Sequence, residues 1–179
     1  MTAHPTLLLH FACDRRGLAA LEFALIAPMM IVLLFGSVEL TELLATDRRA
    51  ANTAASVADV ISRDTVIEDA EINDLWTAAN ALMYPNSATP LQIRISSVQV
   101  ETATQAKVLW SDGHNGYSPR AAGSAMSLPA GMMIPGTSVV VSETTYHYTP
   151  PIGVFLDLAF DLDHIEYRRP RVADPVTRN

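Results

Sequence analysis

The chain has 179 residues, 49% of them apolar, and a formal net charge of −7. That length holds one modest domain plus an appendage, not two large domains. The acidic balance, with Lys107 as the only lysine and arginine pairs no larger than Arg15/Arg16, Arg48/Arg49 and Arg168/Arg169, excludes a general nucleic-acid binder, which needs clustered basic side chains against phosphates.

Residues 1–17 read as a short leader that ends in a basic pair and a glycine, Arg15-Arg16-Gly17. An apolar stretch follows. From Phe23 to Val38 there is no charge, and adding Leu18–Leu21 upstream reaches the roughly 20 residues of a membrane span at the expense of including Glu22. Leu, Ile, Met and Phe fall at every helical angle, which suits lipid better than a half-buried core helix. Pro28 is tolerable in such a span, where neighbouring helices can satisfy the freed carbonyl. A secretory signal peptide places its apolar core before the cut, whereas here the core follows Gly17. A lipoprotein signal around Leu7–Cys13 fails because its apolar core is too short and His10 and Phe11 precede the cysteine. A cut at Gly17 would remove Cys13, the only cysteine, and with it any disulfide or thiolate metal site.

Glu22 is the anomaly, because a carboxylate inside the apolar end of a span is costly and marks a functional candidate. The run Arg15-Arg16-Gly17-Leu18-Ala19-Ala20-Leu21-Glu22-Phe23 resembles type IV pilin-like precursors, which are cut after a glycine and carry a glutamate five residues on. The wording RRGLAALEFALIAPMMIVLLFGSVEL is more closely similar to the TadE/TadG group of tight-adherence (Tad) pilus proteins. The resemblance implies cleavage by prepilin peptidase between Gly17 and Leu18, and a role for Glu22 and Phe23 in assembly and register. It also implies a cytoplasmic N-terminus and a periplasmic C-terminal domain on the bacterial inner membrane. Counting lysines and arginines alone fixes no orientation, since basic pairs flank the span on both sides.

The span, taken as 18–44, continues as a soluble helix to about residue 62, since neither Gly nor Pro interrupts Ser37–Asp64. Leu40, Leu43/Leu44, Ala50/Ala51, Ala54, Val57/Ala58 and Ile61 make an apolar stripe at helical spacing, broken by Asp47. An Ala-rich stripe admits close approach by either the chain's own sheet or another subunit's helix. Residues 63–179 form the remaining α+β domain. A second helix is expected over Thr65–Leu82, capped by Thr65 and Glu68 at capping-box spacing and ended by Tyr84-Pro85-Asn86. Strands are expected at Leu91–Val100, Gln105–Ser111, Thr137–Tyr148 and His164–Arg171, with a loop at Asp112–Gly116 and no assignment for Ala121–Pro135. The predicted fold is α+β, pilin-like, with a long N-terminal helix packed on a small, mainly antiparallel sheet. Tyr146-His147-Tyr148-Thr149-Pro150 and Arg169-Pro170-Arg171 also resemble stretches of the TadE/TadG group. Residues 64–124 match no motif.

No catalytic constellation emerges. Asp157, Asp161, Asp163 and His164 are oxygen- and nitrogen-bearing but fit no metal loop. His114 and His147 read as surface or satisfied histidines, Trp76 and Trp110 as core residues. The expectation is a non-enzymatic membrane protein without cofactor, a minor pilin or pseudopilin whose partners are prepilin peptidase, other Tad pilins, the inner-membrane assembly platform and lipid. The competing readings are an uncleaved, anchored periplasmic scaffold and an anchored enzyme using the Asp157–His164 region.

Overall fold

The computed structural model describes residues 16–153 and 158–179. Helix α1 spans Arg16–Ile61, 46 residues with Pro28 inside. At about 1.5 Å per residue it is about 69 Å long. Its two halves live in different surroundings. Between Leu18 and Val38 every large apolar side chain is exposed, whereas from Ala50 onward Ala50, Ala54, Val57, Ala58 and Ile61 are buried at helical spacing. The exposed half is far too apolar for water and the buried half has a sheet to cover it.

The chain then forms β1 (Val66–Ile67), α2 (Asp69–Leu82), β2 (Leu91–Thr102), β3 (Gln105–His114), a single 3-10 turn at Ala130–Met132, β4 (Ser138–Tyr148), β5 (Phe160–Arg168) and β6 (Thr177–Arg178). Strands β2 to β5 make a four-stranded sheet in the order β3-β2-β4-β5, with every neighbour antiparallel. The short β1 and β6 pair in parallel. One helix packed on an antiparallel sheet is the α+β architecture the patterning predicted.

Boundaries shift where local chemistry overrides pattern. Val66 and Ile67 leave the expected start of the second helix to pair with β6, so α2 begins only at Asp69. The cap moves with it: the Glu71 carboxylate accepts the Glu68 N–H at 2.9 Å, in place of the Thr65/Glu68 pairing. β3 runs on to His114, through most of the expected loop, because Asp112, Gly113 and His114 pair with Ile95, Arg94 and Ile93. The turn itself is Asn115-Gly116, both at positive φ (54° and 90°), a pair that favours tight reversal. β5 starts at Phe160, four residues before the expected His164, and ends at Arg168.

The sheet faces carry two cores. Leu91, Ile93 and Ile95 of β2, with Val140, Tyr146 and Tyr148 of β4, meet Ala50, Val57 and Ile61 of α1 and Ile72, Leu75, Trp76 and Ala79 of α2. Full burial of each large aliphatic contributes about 1.5–3 kcal/mol, an upper figure because denatured chains already hide some surface. On the opposite face Val98, Val100, Val108, Val139 and Val141 are covered by Met126, Leu128, Met132 and Met133. That cover explains the unassigned Ala121–Pro135 stretch: its methionines are the lid of a second, smaller core.

Candidate functional site: the N-terminal helix and its seat

Gly17, Leu18, Glu22 and Phe23 all lie within α1, and all are exposed. Among the described residues nothing approaches the position a Gly17 side chain would occupy. Leu18 and Glu22 are four residues apart and therefore share a helix face, one turn from each other. Phe23, 69% exposed, opens the charge-free stretch. Glu22 lies one turn beyond Leu18 and outside the first turn of α1, which carries no acidic residue. Arg15, Cys13 and the rest of the expected leader before residue 16 lie outside the described residues, as does Asp157.

At the other end of the apolar half-helix the environment changes within one turn. Glu39, in the same turn as the exposed Val38 and Leu40, is fully buried. One turn later Glu42, Thr46 and Arg49 line one face and converge on Asn86, in the loop between α2 and β2. The Asn86 amide donates to Glu42 Oε1 at 2.9 Å and to Thr46 Oγ1 at 3.0 Å, and its oxygen accepts from Arg49. This polar clasp marks where the helix leaves its apolar stretch and meets the domain. Tyr146 and Tyr148 of β4 stand beside it. Burial pushes both phenols up from their ordinary pKa, and the nearby Glu42 carboxylate adds to the effect.

Beyond the clasp α1 sits on the sheet. Ala50, Ala54 and Ala58 bring the backbone close to β4, whose residues of matching parity, Ser138, Ser142 and Thr144, turn toward the helix. Those three hydroxyls, with Ser97 of β2 and Tyr148, are buried without a hydrogen-bond partner among the described residues. Small side chains on both surfaces explain the close fit. Asp47, the break in the apolar stripe, accepts a hydrogen bond from His164 Nε2 of β5 at 2.9 Å. At the far end Arg171 N–H donates to the Ser62 carbonyl at 2.7 Å and its guanidinium pairs with Asp59 at 2.6 Å.

The described members of the acidic stretch, Asp161, Asp163 and His164, do not converge. Asp161 and Asp163 lie on the face of β5 turned away from α1, bonded to His147 (2.8 Å) and to the Thr145 hydroxyl (2.7 Å). His164 points to the other face, toward Asp47. Among the described residues no group of three His, Cys, Asp or Glu side chains could hold a metal ion. His114 stacks on Trp76, ring centroids 5.0 Å apart, and burial lowers its pKa.

One polar cluster has no counterpart in the sequence patterning. Glu143 on β4 takes two guanidinium groups in bidentate fashion, Arg94 of β2 (2.6 and 2.8 Å) and Arg120 (3.1 and 2.7 Å). Arg94 also covers the Tyr117 ring at 4.2 Å. Burial pushes the Glu143 carboxyl up, but the hydrogen bonds and charges of the two arginines outweigh it and leave its pKa lowered. Only the β2–β4 register, which sets Arg94 opposite Glu143, brings these residues together. The cluster acts as a structural tie between β2, β4 and the segment around Arg120.

The geometry defines a class: an α+β domain carried on one long helix, the only described helix long and apolar enough to cross a membrane. Within that class, residues 17–59 match the family model of TadE-like proteins, a similarity that covers this helix. The family belongs to pilus assembly, where its members are assembly components rather than catalysts. No curated protein and no solved structure matches the chain.

Proposed function

We propose that the protein is a minor pilin or pseudopilin of a Tad-type adhesion pilus, anchored by α1 in the bacterial inner membrane with residues 63–179 on the periplasmic side. The observation that carries the reading is the position of Glu22: one turn after Leu18, at the head of an exposed apolar half-helix, inside the segment that matches the TadE-like family. Residues 1–17 are the leader, removed by prepilin peptidase between Gly17 and Leu18. Glycine weakens a helix by about 1 kcal/mol relative to alanine, so Gly17 lets the backbone open for a peptidase at little cost.

The new Leu18 amine and the Glu22 carboxylate are then complementary charges at one apolar helix end. When helices leave lipid and stack, a Glu22 without a partner in hydrocarbon costs several kcal/mol, so pairing with the Leu18 amine of an adjacent subunit selects register more than it adds net stability. Other Tad pilins and the membrane assembly platform are the partners of this step. No residue of the domain is assigned a catalytic role. Glu22→Ala leaves cleavage and membrane insertion intact and impairs piliation, measured by electron microscopy and by sheared-filament yield. Normal piliation of that variant contradicts the role of Glu22.

A further inference from the structure

We propose that a cleft of about 190 Å³ between α1, the loop after α2 and the end of β4 binds a primary ammonium group. Glu42 and Asn86 line it together with Tyr146, His147, Tyr148 and Thr149, from a stretch to which the pilin reading gives no role. The volume is far above the roughly 10–15 Å³ that admits a single water. The Tyr148 phenol carries the inference. Tyr148 is 3% exposed, and its hydroxyl has no hydrogen-bond partner among the described residues. A buried hydroxyl without a partner is costly, so an occupant that bonds to it is favoured. Phe160 packs on the ring, centroids 5.5 Å apart, and holds it in place. Burial, and after it the Glu42 and Glu39 carboxylates, raise the pKa of this phenol, so negative charge lies beside the hydroxyl.

The remaining lining offers acceptors, and its donors are spent. Glu42 gives Oε1 to the Asn86 amide at 2.9 Å, and its Oε2 has no bond among the described residues. Tyr146 donates its O–H to the Ser87 carbonyl at 3.1 Å and keeps its oxygen lone pairs. His147 Nδ1 lies 2.8 Å from the Asp161 carboxylate, which makes Nε2 of the neutral ring an acceptor. Both Asn86 N–H groups go to Glu42 and Thr46, and the lining Pro90 and Pro151 have none. Arg49 donates to the Asn86 oxygen and does not line the cleft. An anion would meet like charge here and find no free donor. A metal ion fits poorly, since among the described residues no three His, Cys, Asp or Glu gather. A primary ammonium brings one positive charge and three donors, and tyrosine rings attract cations as well.

Two sources supply such a group: the headgroup of phosphatidylethanolamine and a soluble alkylamine. With α1 across a bilayer, Leu18–Val38 fills about 31 Å at about 1.5 Å per residue, the thickness of the hydrocarbon, and Glu42, one turn beyond Val38, lies at headgroup level. The site itself stands on the geometry of the domain and does not rest on processing at Gly17.

The test titrates the full chain in dodecylmaltoside with ethylammonium chloride, read by calorimetry, and with short-chain phosphatidylethanolamine and phosphatidylcholine, read by native mass spectrometry. The proposal expects phosphatidylethanolamine, ethylammonium or both to bind. Affinity should fall at least about tenfold in Glu42→Gln and about fivefold in Tyr148→Phe. Glu42→Gln keeps an acceptor for Asn86 and Tyr148→Phe keeps the ring, so losses at an unchanged circular dichroism spectrum come from the site. Asp74→Asn, an exposed acid of α2 outside the cleft, should bind like the parent. Binding of phosphatidylethanolamine alone assigns the lipid headgroup, and binding of ethylammonium alone assigns the soluble amine; either supports the site. Equal binding of phosphatidylcholine, whose nitrogen has no N–H, overturns recognition of a primary ammonium. No binding by the parent chain, or binding unchanged in either cleft variant, overturns the site.

Discussion

Asp47 and His164, 117 residues apart in sequence, meet at 2.9 Å and tie the middle of α1 to the edge strand of the sheet. An acid in an otherwise apolar helical stripe thereby has a structural reason: it lies where the stripe crosses β5, a partly solvated edge, and not the closed centre of the core. Both side chains retain some exposure, 39% for Asp47 and 22% for His164, so the bond is screened and modest. Asp47→Ala is expected to lower unfolding stability by no more than about 1 kcal/mol, measured by urea denaturation of the full chain in detergent. A loss of several kcal/mol would show that the pair anchors more than this contact.

The alanine face of α1 is far less forgiving. Ala54 is fully buried against the sheet, and a leucine there inserts methylenes into a contact already closed by small residues on both sides. Ala54→Leu should cost about 1–3 kcal/mol and loosen the helix from the sheet. Proteolytic susceptibility between residues 37 and 62 reads this directly: the variant should be cut faster, whereas Ala51→Leu, on the less buried neighbouring position, should change little.

Glu143 gives the domain an acid-sensitive tie. Its pKa lies below the ordinary value of 4.5, so ionised Glu143 contributes stability that is fully present above about pH 4.5 and is lost as the pH falls through its folded-state value. Glu143→Gln should cost about 3 kcal/mol at neutral pH, because Arg94 and Arg120 lose their shared counter-charge. The variant should also show a shallower stability loss than the parent below pH 4.5. Parallel acid profiles for the two proteins would contradict the assignment.

The helix was readable from sequence because its signals are local: an uninterrupted run, an all-round apolar half, and a periodic apolar stripe in the other half. The central strands were readable for the same reason, through the alternation of Leu91, Ile93 and Ile95 and the β-branched run around Val139–Val141. What escaped depends on distant partners. Val66 and Ile67 look like the first turn of a helix until β6, more than a hundred residues later, claims them. Asp112–His114 look like a loop until β2 supplies their ladder. The Arg94–Glu143–Arg120 cluster and the Asn86 clasp arise only from register and chain crossing, and no spacing within the sequence announces them. Gly113 illustrates the same limit: a side chain there would strike the Tyr117 carbonyl oxygen at 1.8 Å, a close approach visible only once the chain folds back.

The positions of Gly17, Leu18, Glu22 and Phe23 make a single claim on which the functional account depends: cleavage between Gly17 and Leu18. Mass spectrometry of the protein extracted from membranes of a strain with active prepilin peptidase tests it most directly. The account predicts an N-terminal peptide beginning at Leu18, with residues 1–17 lost. A membrane-extracted chain whose N-terminal peptide begins at Met1 or Thr2 contradicts it, and leaves an anchored scaffold in place of a processed pilin.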